Sequence, residues 1–284
     1  MIGSRVPPTL FEILSEFWLS ALMMIPFVLF AHIGNYKIFR HIGGYRPVDA
    51  YFSGMPGGLI EAVLLGEKAG ADMRILTIQH FVRVLSIVIF VPFMFFILTG
   101  EVVGSASGVS MSEAVYDTSD IIMIFIIAAI GLVLGKAINL PAAHLLGPLM
   151  LAILAVIVFS VQINFPHWLL NCAQFVIGTT LGAQFSGVNR RMLRRSLMLG
   201  AITACFMLIL SLAFAYILTP FVPMDVKELL ISFAAGGLAE MSLIALSFNL
   251  NPVFVALHHL LRIFLSIWLG NLVYNYFLKN KLRI

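Results

Sequence analysis

The chain has 284 residues, 61% of them hydrophobic and only 11% charged, with a formal net charge of +4. A soluble domain carries about 25% charged residues, so this composition excludes one and points to a bilayer. The positive balance does not imply nucleic acid, because the basic residues sit in short loops between apolar runs, as cytoplasmic anchors do. The apolar runs approach the roughly 20 residues a spanning helix needs and are too long for barrel strands. The expected class is an all-α polytopic membrane protein. Cys172 and Cys205 both fall in apolar segments and suggest neither a disulfide framework nor a metal site.

In chain order, Met1 to Leu10 breaks at Pro7 and Pro8, with no cleavable leader evident, and residues 11–33 form a first span. A loop with Lys37, Arg40 and Arg46 follows. Residues 48–69 are interrupted at Gly57-Gly58 and read as two half-helices, each too short to span, with Glu61 just after the break. The next span is 72–99 and carries His80 and Arg83. Residues 101–118 form a polar loop with Glu101, Glu113 and Asp117 and no Lys or Arg. Spans follow at 119–138, 141–163, 167–187 and 196–219, with the cluster Arg190, Arg191, Arg194 and Arg195 before the last. Residues 226–248 hold a second break at Gly236-Gly237 with Glu240 after it, and 252–278 is the last span, carrying His259 and Arg262.

The two breaks belong to a duplication. At a constant offset of 179, from Gly57 to Gly236, the residues Gly57, Gly58, Leu59, Glu61, Leu64, His80 and Arg83 meet Gly236, Gly237, Leu238, Glu240, Leu243, His259 and Arg262 without a gap. Placing the basic residues inside and the 101–118 loop outside gives seven crossings, with both glycine segments re-entering. The helix at 11–33 then runs opposite to its partner at 196–219, so the repeats are inverted, a pattern of secondary transporters. Residues 1–100 form an incomplete first repeat and 119–284 a complete second one, since Gly3 falls opposite Gly182 and nothing precedes it. A family that tolerates a half-missing repeat, a misassigned start and a truncated gene all fit.

Glu61 and Glu240 lead the site, because an ionisable residue within a membrane segment is a functional hypothesis by default. They read as a coupling-ion or proton site; the alternative is a cap on the broken helix. Gly57, Gly58, Gly236 and Gly237 let the chain unwind and pack closely. Arg83 and Arg262 stay charged and require partners. The two glutamates are the expected ones, serving either an anionic substrate or a static ion pair. His80 and His259 share a helix face with those arginines and could relay protons, though a hydrogen-bonded core histidine is preferred. Asp49 and Glu228 occupy cognate positions and are expected to be interfacial and solvated. No cofactor or metal pattern emerges.

The blocks Pro56-Gly57-Gly58-Leu59-x-Glu61 and Gly236-Gly237-Leu238-Ala239-Glu240-Met241 resemble the AbrB duplication family of bacterial membrane proteins. So do Leu140-Pro141-Ala142 with Leu145-Leu146-Gly147, Ile177-Gly178 with Gly182, and His258-His259 with Arg262. The resemblance covers essentially the whole chain and implies a fold related to cation/proton antiporters and anion transporters. Members are often labelled ammonia monooxygenase or regulator of gene expression. The expected function is therefore a secondary transporter or permease for a small molecule or ion, proton- or cation-coupled, in the bacterial inner membrane. The expected partners are the lipid bilayer and that small molecule, with no nucleic acid, and assembly with further copies stays open. The alternatives are a membrane regulator acting indirectly on expression and, less supported, the monooxygenase of the label, which lacks a ligand cluster.

Overall fold

A computed structural model describes residues 10–100, 117–138, 190–248 and 250–278, with scattered residues between 143 and 183. The spans expected at 141–163 and 167–187 fall largely outside the described residues, as do most of the 101–118 loop and the basic tail. The described chain is helical, with α1 at Leu10–Lys37, α2 at Pro47–Ser53, α3 at Leu59–Lys68, α4 at Met73–Thr99 and α5 at Thr118–Ala137. Beyond the gap lie α6 at Arg190–Leu218, α7 at Val226–Phe233, α8 at Leu238–Ser247 and α9 at Pro252–Val273. Among the described residues, five helical stretches are long and apolar enough to cross a membrane. Their outward side chains match: Ile97 is 66% exposed and Ile209 69%, which suits lipid rather than water. This is an all-α polytopic membrane protein.

Contacts divide the chain into two units, Met1–Ser15 with Ser107–Thr180, and Glu16–Ala106 with Leu181–Ile284. In the first unit α5 begins at a capping box, where Asp117 and Asp120 each take the other's backbone N–H. Its Gly131 lies so near the Pro148 backbone that a Cβ there would meet Pro148 Cα at 2.5 Å, a close crossing through small residues.

The second unit holds the duplicated elements, and α1–α4 correspond to α6–α9. Their local chemistry repeats at the same offset of 179. Asp72 caps α4 by accepting from the Arg74 and Ile75 N–H groups at 2.9 and 3.4 Å. Asn251 caps α9 by accepting from Val253 and Phe254 at 3.0 and 3.2 Å. The ends of α3 and α8 also match: Ala71 donates to the Gly66 carbonyl and Leu250 to the Ala245 carbonyl, both at 2.8 Å.

Contacts along the helices give their directions. From Gly43 through Gly34 to Phe27, α1 and its extension meet Leu199, Phe206 and Phe214 of α6, so the two run antiparallel. Gln79 bonds Ser196 at 3.0 Å and Val82 meets Gly200, so α4 runs parallel to α6. Phe17 packs on Phe254 and His258, and His32 approaches Gly270, so α9 runs parallel to α1. Each long helix of the first repeat, α1 and α4, therefore opposes its cognate in the second, and the repeats are inverted.

The broken segments are hairpins. Asp49, on the incoming half α2, accepts the backbone N–H of Asp72, beyond the outgoing half α3, at 2.8 Å. Arg46 reaches the Gly70 carbonyl across the same mouth. In the second repeat the Asn251 backbone N–H, at the cognate position, acts on the Glu228 carboxylate. Each segment thus enters and leaves on one side of the bundle. Asp49 is 1% exposed, so the expectation of a solvated residue is corrected. It is held by Arg46, whose Nε and Nη2 reach its two oxygens at 2.7 and 2.9 Å, and by the hairpin mouth itself.

Candidate functional site

Helix α2 ends at Ser53, and the chain runs through Met55, Pro56 and Gly57 before α3 begins at Leu59. Gly58 takes φ +70°, a left-handed conformation that favours glycine. A non-helical stretch at this depth leaves carbonyls without intrahelical partners, and they must be satisfied by protein.

The duplicated histidines and arginines satisfy them. His80 Nε2 donates to the Phe52 carbonyl at 2.9 Å, and His259 Nε2 to the Ile231 carbonyl at 3.0 Å, each 28 residues back. Arg83 Nη1 donates to the Met55 carbonyl at 2.5 Å, and Arg262 Nη1 to the Ala234 carbonyl, again 28 residues back in both cases. Arg262 Nη2 adds the Gly236 carbonyl at 2.9 Å and His259 Nδ1 at 3.2 Å. Since a carbonyl only accepts, both histidines carry their proton on Nε2, and His259 Nδ1 is free to receive the Arg262 bond. The two histidines are thus hydrogen-bonded core residues. All four side chains are buried, with Arg83 3% and Arg262 2% exposed.

The glutamates lie elsewhere. Neither Glu61 nor Glu240 comes within ion-pair distance of an arginine among the described residues, which corrects the expected Glu–Arg pairing. Each folds back on its own glycine instead. A Cβ on Gly58 would meet Glu61 Oε2 at 3.3 Å, and one on Gly237 would collide with Glu240 Oε2. Both carboxylates sit in the first turn after a break, where the helix terminus favours negative charge, and both are part-exposed. Gly57 and Gly236 are buried. Gly57 seats the first break directly on α9: a Cβ there would lie 3.1 Å from Ser266 Oγ and 3.4 Å from the Arg262 carbonyl oxygen.

Two features were not visible as site residues in the sequence. Asn35 Nδ2 donates to the Gly54 carbonyl at 3.2 Å, and His32 Nε2 to the Tyr51 carbonyl at 2.9 Å, so α1 supports the first break as well. Tyr51 in turn donates its hydroxyl to the Gly270 carbonyl at 2.8 Å, tying α2 to α9. The amide and imidazole types of Asn35 and His32 within an apolar span were the only available signal. Among the described residues no group of three or more His, Cys, Asp or Glu is placed to hold a metal ion.

A protein 24% identical over 286 residues is the "Uncharacterized protein YhjN" of Bacillus subtilis (strain 168); the match covers 94% of this chain and 73% of that one. Another, 24% identical over 215 residues, is the "Putative regulator AbrB" of Escherichia coli (strain K12), with 74% of this chain and 60% of that one covered. No solved structure matches. The family profile described as "Transition state regulatory protein AbrB" matches residues 1–278, nearly the full length of a chain whose paired Gly-Gly-Leu-x-Glu hairpins are held by duplicated His and Arg. The chain therefore belongs to the AbrB family of membrane proteins.

Proposed function

We infer that the chain is a secondary transporter of a small molecule or ion, working by alternating access between two inverted repeats. The observation that carries this reading is the pair of hairpins whose broken, glycine-lined tips are held by duplicated buried arginines. Broken helices from inverted repeats are how transporters build a site near the midplane that either side can reach. Glu61 and Glu240 are the groups to bind and release a proton or cation during the cycle, being ionisable, part-exposed and at the tips. The conserved bond pattern across both repeats supports rigid hairpins that rock against the longer helices rather than unfold.

The reading is tested with the purified chain in proteoliposomes carrying an imposed pH or sodium gradient, using substrate-panel uptake and thermal stability together. Glu61→Gln and Glu240→Gln should abolish the ion- or ligand-dependent response while leaving the melting temperature of the unliganded protein within a few degrees. Wild-type responses in both variants would sink the carboxylate assignment. The name of the Escherichia coli relative favours a second reading, a membrane protein with an indirect effect on gene expression. That reading gains if deletion alters expression while the flux assays stay blank. The cytoplasmic membrane of a bacterium is the proposed location, on the strength of two bacterial relatives.

A further inference from the structure

Arg83 and Arg262 present an electrostatic problem that the protein does not solve internally. Both lie within membrane-crossing helices, and both are all but inaccessible. Arg262 lies close enough to Arg83 for their positive charges to oppose each other, and among the described residues no carboxylate comes within ion-pair distance of either guanidinium. Their partners are backbone carbonyls and one imidazole, all neutral groups. Two like charges held near each other in a low-dielectric interior are costly unless a counter-charge joins them.

The first glycine break touches both arginine-bearing helices, Arg83 by its side chain and Arg262 by its backbone. Arg83 holds the Met55 carbonyl, the Met55 side chain reaches Gly270 of α9, and Gly57 abuts Ser266 and the Arg262 backbone. Donors remain unused there. Arg83 Nε, Arg262 Nε and Ser266 Oγ are all buried and without a hydrogen-bond partner. Ser266 follows Arg262 by one helical turn, so the two lie on the same face of α9. The carboxylates of Glu61 and Glu240 turn back onto Gly58 and Gly237 and do not use these donors.

We propose that Arg83, Arg262 and Ser266, around the Gly57 break, form a binding site for a small oxyanion, with the planar two-oxygen geometry of a carboxylate as the best fit. This rests on the transporter reading and names its substrate class. Arg83, bonded through Nη1 alone among the described residues, keeps an Nε–Nη2 edge whose parallel N–H groups match two carboxylate oxygens, and Arg262 Nε with the Ser266 hydroxyl can supply further bonds. A cation would meet two positive charges at the same place. Glycine at position 57 allows the backbone to come within contact of Ser266, where a larger residue would displace the hydroxyl from the site.

The test uses the full chain in detergent, titrated with sodium acetate, sodium succinate and sodium phosphate against sodium chloride at matched ionic strength. Melting temperature and calorimetric heat are both read. A ligand that binds the folded state raises stability in proportion to its occupancy. Saturable stabilisation by an oxyanion, absent with chloride, is expected. A carboxylate response names organic acids as the source, and a phosphate response names an inorganic one. Arg83→Lys and Arg262→Lys, which keep the charge but lose the fork, should raise the half-saturating concentration about tenfold or more. Should a lysine variant fail to fold, Ser266→Ala removes only an unpartnered hydroxyl and should still weaken binding severalfold. Flat responses of the wild type to every oxyanion overturn the proposal, as does an unchanged half-saturation in the folded variants. A sodium- or pH-dependent shift that Glu240→Gln abolishes, beside a flat anion response, removes the oxyanion and leaves the transporter reading intact. Saturable anion binding without any flux in proteoliposomes does the reverse.

Discussion

Arg83 and Arg262 each hold a carbonyl 28 residues back, and His80 and His259 each hold another at the same spacing. A duplicated side chain thus repeats its bond, not only its place in the sequence. The residue that departs most from ordinary chemistry outside the spans is Glu228. Burial pushes its carboxyl up from 4.5 to about 7, Asp225 adds to the rise, and the Asn251 N–H partly offsets it. The folded protein therefore binds this proton more tightly than the unfolded chain. That stabilisation is complete below about 4.5 and is lost as pH rises through about 7. Melting curves of wild type and Glu228→Gln across this range check it. The wild type should lose stability relative to the variant as pH rises from 4.5 to 7, and parallel profiles would contradict the assignment.

The functional element is the hairpin rather than the half-helix. Neither α2, with 7 residues, nor α3, with 10, could cross a bilayer or stand alone in water. Their stability comes from the closed mouth and from the side chains at the tip. Asp49 closes the mouth of the first hairpin through the Asp72 N–H, and Arg46 lies on its outer side with its side chain 61% exposed. Asp49→Ala removes the charged acceptor of that part-buried N–H and should cost about 1–3 kcal/mol. Asp49→Asn keeps an acceptor oxygen and loses only the ion pair to an exposed arginine, which is worth about 0–1 kcal/mol. Hydrogen exchange over residues 47–72 should therefore accelerate markedly in Asp49→Ala and little in Asp49→Asn. Equal acceleration in both would place the stabilisation in the ion pair instead.

At the scale of the molecule, the defining property is that cognate helices oppose each other. Paired cysteines test this, after Cys172 and Cys205, both exposed, are replaced. A Cβ on Gly200 would lie 3.0 Å from the Val82 Cβ, close to the separation a disulfide spans. Val82→Cys with Gly200→Cys should cross-link readily. Phe27→Cys with Leu199→Cys should stay open, because antiparallel α1 and α6 bring Phe27 to Phe214 instead. A cross-link between 27 and 199 would overturn the inverted arrangement.

The sequence by itself determined the class, the helix breaks and the duplication. Bilayer thickness sets span length, so α4 at Met73–Thr99 and α9 from Pro252 lie close to where apolar runs put them. Two adjacent glycines with a following Glu mark a break wherever they sit, because loss of side chains acts locally. The relative direction of the repeats was also legible, through basic residues that report which side of a membrane a loop occupies. Tertiary structure alone decided the partners. Sequence reasoning assigned the arginines to Glu61 and Glu240 by charge, yet a broken helix frees backbone carbonyls, which carry no residue signature, and these take the guanidiniums. It also left Asp49 in solvent, since nothing local shows that a chain will return 23 residues later to set the Asp72 N–H against it. Elements form from neighbours along the chain; a site forms where distant segments meet, and only the fold brings those together.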